Sequence, residues 1–119
     1  AEIIEADFAS DESIGRTLIS TERADVLYFS GSLNTFQHKA AAKILERAWE
    51  AVAQKPGASL VFNFLSDRCD AERRKLPTGP AHRFNTLKLL DWAMEQTPVV
   101  QFRQDYLAGH DATIAMTAV

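Results

Sequence analysis

Two apolar runs without alternation limit what this chain can fold into more than any other feature. Val26-Leu27-Tyr28-Phe29 and Leu60-Val61-Phe62-Asn63-Phe64-Leu65 are each bounded by turn residues. Unbroken apolar runs of this length read as strands covered on both faces, as in parallel sheets. Between them lies the strongest helical pattern in the chain, Thr35 to Gln54. Phe36, Ala40, Ile44 and Ala48 form one stripe, Leu45, Trp49 and Val52 widen it, and Lys55-Pro56-Gly57 stops it. Parallel strands need such a crossover, so the middle of the chain reads as a strand–helix–strand unit.

The flanking segments extend the alternation. Ile3-Ile4, Ala6 and Phe8 suggest a first strand. Ser10 can cap a short, weak helix that places Ile14 and Leu18 on one face. Ser66 to Phe84, with Pro77, Gly79, Pro80 and many charges, reads as a long connection. Asn85 is a cap candidate for a helix through Gln96, with Leu87, Leu90 and Met94 on one face, and Pro98 ends it. Val99 to Tyr106 and Ala112 to Ala118 read as two strands joined by a loop containing Gly109. The expected architecture is α/β, with about five strands, mostly parallel with a C-terminal antiparallel hairpin, and three helices mainly on one face.

The length of 119 residues suits one domain spanning 1–119. A chain of this size removes roughly two-thirds of its unfolded surface from water and needs no disulfide or metal staple. The net charge of −3 weighs against a nucleic-acid partner held through phosphates. No apolar run approaches the roughly 18 residues of a membrane span. The absence of a secretory pattern and the single Cys69 give the expectation of a cytoplasmic protein.

The segments ADVLYFSGSLN, GASLVFNFLSDR and FRQDYLAGHDATIAM, in that order, resemble three stretches of bacterial S-adenosylmethionine-dependent methyltransferases. AEIIEADF is similar to the third strand of that Rossmann-like fold. The resemblance implies a truncated class I methyltransferase domain, since the chain spans about half of it. It also implies S-adenosylmethionine as cofactor, with Asp7 meeting the adenine amino group and Phe8 flanking the ring. Ser30 and Gly31 would lie beside the methionine moiety, and Asn34 would face substrate. The family's glycine-rich turn is missing, as is the acid that grips the ribose hydroxyls. The glycines here are scattered and form no such loop. Catalysis by this chain alone is therefore not expected. It reads as one part of a split or dimer-assembled enzyme, or as a non-enzymatic binding or assembly module that kept the fold.

Plainer roles compete at each position. Asp7 can cap a turn before Ser10, Asn34 can serve a loop or helix cap, and Gly31 can serve a backbone conformation. Asn63, inside an apolar strand, is expected to bond neighbouring backbone. His38, His82 and His110 lie in separate segments without ligand spacing, so no metal is expected. Cys69 has Arg68, Arg73 and Arg74 nearby in sequence but no orienting base. Asp7, His38 and His110 are the acid–base groups that a different chemistry could use.

In the resembling family the helices retained here lie on one face of the sheet, and the missing half covers the other. Five or six large side chains left wet on that face would forfeit about 10 kcal/mol, comparable with the stability of a domain. A homodimer or a complementary chain is the expected cover, by sheet against sheet or by joined edges.

Overall fold

The computed structural model describes residues 10, 11, 13–21, 23–106 and 109–119. The expected first strand, with Asp7 and Phe8, lies outside them. The first helix is capped at Ser13 rather than Ser10, and Asp11 Oδ1 braces the turn before it by accepting from the backbone N and the Oγ of Ser13. Helix α1 (Ile14–Arg16) runs straight into a π-helical turn (Thr17–Thr21), as weak as Gly15 and its hydroxyl neighbours imply. Strand β1 (Val26–Phe29) is followed by a turn and by α2 (His38–Val52), which starts three residues later than its apolar pattern suggests. Then come β2 (Ser59–Ser66), a short α3 (Ala71–Arg74), a two-residue β3 (Arg83–Phe84), α4 (Thr86–Gln96), β4 (Val99–Tyr106) and β5 (Asp111–Thr117). Asn85 caps α4 as expected, its Oδ1 accepting from the Lys88 backbone N at 3.1 Å.

The strands form one sheet in the order β1-β2-β5-β4, with β3 paired to the end of β2. β2 is parallel to β1 and β3 but antiparallel to β5, and β5 is antiparallel to β4. The sheet is thus mixed, not mostly parallel. The hairpin folds back so that its second strand inserts beside β2, and the antiparallel ladders become the longer ones. The fifth described strand, β3, falls within the segment expected to be a bare connection.

Register sorts the residues into rows. Leu27, Leu60, Met116 and Val100 form one row, and Phe29, Phe62, Ile114 and Phe102 the next. Apart from Phe102, which is exposed, these rows pack against Ala41, Ile44, Leu45, Ala48 and Val52 of α2 and Ala93 of α4 in a single core. The alternate rows, Val26-Ser59-Thr117-Val99 and Tyr28-Val61-Ala115-Gln101, point the other way. There the expectation of a broadly apolar second face fails. Val26 and Tyr28 are 52% and 58% exposed, but their row-mates are mainly small or polar, and Ser59 Oγ meets Thr117 Oγ1 at 3.0 Å. Three half-exposed side chains, Val26, Tyr28 and Val99, forfeit only a few kcal/mol, so this face does not by itself make the monomer marginal.

The apolar positions of α4 are also reassigned. The helix buries Thr86 and Ala93, while Leu87 and Met94 are exposed and Leu90 is half-buried. Of its sequence stripe only Leu90 packs against the core, while Leu87 and Met94 are turned away.

Two features of the terminal hairpin can be checked directly. Gly109 has φ +82°, and a Cβ there would sit 3.0 Å from Gln104 Nε2 and 3.3 Å from the Cys69 Cα. Gly109→Ala should lower stability by about 1–3 kcal/mol in chemical denaturation. At the register shift in β4, Arg103 donates to Asp105 at 2.6 Å. That hydrogen bond holds the Asp105 carboxyl below its ordinary range. Its small contribution is present above the unfolded aspartate pKa and lost as pH falls through the depressed folded value. In an NMR titration, Arg103→Gln should return Asp105 to the ordinary range, and added salt should shrink the difference.

Candidate functional site

In open α/β sheets ligands bind beyond the carboxyl ends of the parallel strands. Here those ends are Phe29 of β1 and Ser66 of β2, with the two residues of β3 alongside. Ser30 and Gly31 follow β1 directly and are exposed. Gly31 has φ +70°, and nothing lies within 4 Å of where its Cβ would be, so backbone conformation explains the glycine. Its N–H donates to Asn63 Oδ1. Asn63 stands on the open side of the sheet, and its bond to backbone matches the reading of an asparagine inside an apolar strand.

Asn34 is half-buried and braces the same loop. Its Oδ1 accepts from the Leu65 backbone N at 3.0 Å, and its carbonyl accepts from the His82 backbone N at 2.7 Å. Two asparagines, one in the loop and one in the strand, thus exchange side-chain bonds with each other's segments. The structure brings Ser30, Gly31 and Asn34 to one strand end, while Asp7 and Phe8 fall outside the described residues.

Arg83 organises the neighbouring corner and was not singled out from sequence. Its Nη1 donates to the Ser66 carbonyl at 2.8 Å, and its Nη2 lies 3.1 Å from His110 Nδ1 and 3.4 Å from the Arg73 carbonyl. A guanidinium only donates, so His110 Nδ1 is the acceptor and its proton sits on Nε2. His38 donates from Nε2 to the Arg83 carbonyl at 3.1 Å and packs on Phe84, with ring centroids 4.8 Å apart. Two of the separated histidines therefore converge on one arginine and are held there structurally. Arg83 Nε is buried without a hydrogen-bond partner. Cys69 is buried, which withholds its thiol from solution chemistry. Among the described residues no three His, Cys, Asp or Glu side chains are placed to hold a metal ion.

Below this corner, Ser66 Oγ donates to Gln104 Oε1 at 2.6 Å and accepts from Thr86 Oγ1 at 2.8 Å and from the Arg68 backbone N at 2.9 Å. That uses its one proton and both lone pairs. Asp67 Oδ1 accepts from the Thr86 N at 3.1 Å, which fixes the start of α4 to the end of β2. An apolar cleft of about 240 Å³ lies between α2 and α4, walled by His38, Ala41, Leu45, Phe84, Leu89 and Trp92, so it borders this corner.

No protein-family model and no curated protein matches the sequence. Among solved structures, the fold is similar to an O-methyltransferase family protein from Burkholderia thailandensis. The TM-score is 0.66 at 16% identity, over 98% of this chain and 35% of that one. The likeness is one of fold. This chain spans about a third of the length of the protein it matches. Among the described residues no helix is long and apolar enough to cross a membrane.

The bracing bonds predict separable effects in denaturation experiments. Gly31→Ala forces a side chain into the left-handed region and should cost about 1 kcal/mol without a steric clash. Ser66→Ala strands the buried Thr86 hydroxyl and removes bonds to the less buried Gln104 Oε1 and Arg68 N, and should cost about 1–3 kcal/mol.

Proposed function

We propose that this chain forms the strand-four to strand-seven side of an S-adenosylmethionine-dependent methyltransferase fold and lacks catalytic competence on its own. The observation that carries this reading is the strand order β1-β2-β5-β4 with a reversed β5 inserted between parallel neighbours. The partial coverage of the O-methyltransferase family protein is in keeping with it.

In this reading Ser30 and Gly31 flank the methionine end of the cofactor, and Asn34 lies toward the methyl acceptor. Asp7 and Phe8 would serve the adenine. Methyl transfer depends chiefly on holding donor and acceptor in line, so no catalytic triad is required of these residues. What this chain lacks is a glycine-rich turn where backbone can approach the cofactor, and an acid for the ribose hydroxyls. A complementary segment carrying both would seat against β1, the terminal strand of the described sheet, and over the half-open rows of Val26 and Tyr28.

A second reading, a non-enzymatic binding module, is favoured by the apolar cleft between α2 and α4, which is walled mostly by helix residues and reaches Phe84 of β3. Calorimetry separates the two. The isolated chain should give no binding heat with micromolar S-adenosylmethionine or S-adenosylhomocysteine. Co-expression with the protein segment encoded directly upstream should restore binding. Micromolar affinity in the isolated chain would overturn the claim of incompetence, and silence in both preparations would favour the binding module.

A further inference from the structure

We propose that the cleft between α2 and α4 is a binding site for a small, uncharged, planar aromatic molecule of one or two fused rings. The inference gives the binding-module reading a ligand class and rests on that reading. The two fail separately, because S-adenosylmethionine calorimetry judges the reading and the titration below judges the ligand.

The cleft exists because each helix packs on the sheet more than on its neighbour. α2 lies over β1 and β2, and α4 over β4 and β5. Toward the gap α2 presents His38, Ala41, Ala42 and Leu45, at i, i+3, i+4 and i+7, and α4 presents Leu89 and Trp92. The two alanines in that stripe keep the gap open, and about 240 Å³ remains. A dry engineered cavity of about 150 Å³ takes up benzene, so this space has room for a second fused ring.

The walls are fixed before any ligand arrives. Phe84 lies edge-on to Phe64 with ring centroids 6.3 Å apart, and His38 packs on its other neighbour side at 4.8 Å. His38 is in turn tied through Nε2 to the Arg83 carbonyl. Trp92 meets Phe62 of the core at 6.5 Å. Walls held in this way lose little freedom when a ring enters, and ring against ring adds to what burial alone contributes.

Charge and size choose the occupant. The mouth carries Lys88 from α4 and Glu46 from α2, and among the described residues no ion pair holds either. One cation and one anion give a charged ligand of either sign no net advantage, so the ligand is uncharged. The apolar stretch runs from Asn85 to Trp92 on α4, about 10 Å of helix. Past Trp92 the groove turns polar, with Glu46, Glu50 and Gln96 around the nearly buried Trp49. A peptide helix needs a row of anchor sites along a groove, and this one has room for a single ring system. A flat partner surface would reach into it with one side chain at most.

An NMR titration of the full chain with indole tests this. Binding is expected with a dissociation constant on the order of 1 mM, as suits so small a ligand. The largest shifts should fall at Ala41, Ala42, Leu89 and the Trp92 ring. Ala42 is exposed, so Ala42→Phe should fold, as circular dichroism would verify, and should weaken binding by about tenfold or more by filling the space. Should that variant not fold, the position of the wild-type shifts decides. Tyr28→Ala, on the open face of the sheet, should leave binding unchanged. Indole-3-acetate and tryptamine carry the same ring with an anionic or a cationic tail, and neither should bind more tightly than indole. No shifts at several millimolar indole would overturn the proposal, as would shifts centred on Val26 and Tyr28. A folded Ala42→Phe chain that binds as well as the wild type, or a clear preference for either charged ligand, would overturn it too.

Discussion

The pairing of β2 with β5 governs the rest of the molecule. β2 has β1 on one side, β5 on the other and β3 at its end, and its Leu60, Phe62 and Phe64 are fully buried. Opposite them stand Met116, Ile114 and Ala112, also without exposure. This ladder supplies the floor on which α2 and α4 are laid. Because β5 runs against β2, the chain must cross over beyond it through α4 and β4 before returning. That single reversal fixes α4 above the β4 side, and the two helices then divide the sheet between them.

The same pairing explains which parts of the fold could be read from sequence. Local signals were sufficient where one segment decides its own structure: Ile44, Leu45, Ala48, Trp49 and Val52 of α2 are buried as their spacing implies, and Asn85 caps α4. What failed were properties set by neighbours. Val61 and Asn63 belong to an apolar run that suggested cover on both faces, yet register places them on rows shared with Ala115 and Thr113. Leu87, Leu90 and Met94 have helical spacing, but spacing does not say which flank faces the core. Thr86 and Ala93 won the buried side because the Ser66–Thr86 bond and the Asp67 contact fix the rotation of α4 at its first turn.

The strand-end corner was legible only in part for a related reason. Gly31 and Asn63 could each be assigned a backbone role from residue type, though not to each other, since their bond spans distant segments. Arg83 looked like one charge among many in a connection. Its importance arises because β3 pairs with β2 at Leu65 and Ser66, delivering the guanidinium to the Ser66 carbonyl and to His110. A short strand inside a charged, proline-containing segment leaves almost no periodic signal, so no count of apolar spacing would reveal it. Asp7 and Phe8 fall outside the described residues, so the adenine side of the site rests on resemblance alone.

The two ends of the sheet differ in physical character, and the difference bears on function. At β1 the open rows mix Val26 and Tyr28 with hydroxyls, amides and small side chains, and the adjoining loop is braced by directional hydrogen bonds from Asn34 and Asn63. Such a surface tolerates water and suits a ligand or a separable partner, because leaving it exposed costs little. At β4 the apolar Val99 and Phe102 are also exposed, but Arg103 and Asp105 follow on the same strand, so that end mixes apolar and charged side chains. The residues that resemble a cofactor site, Ser30, Gly31 and Asn34, all lie at the β1 end, where the surface is the more polar.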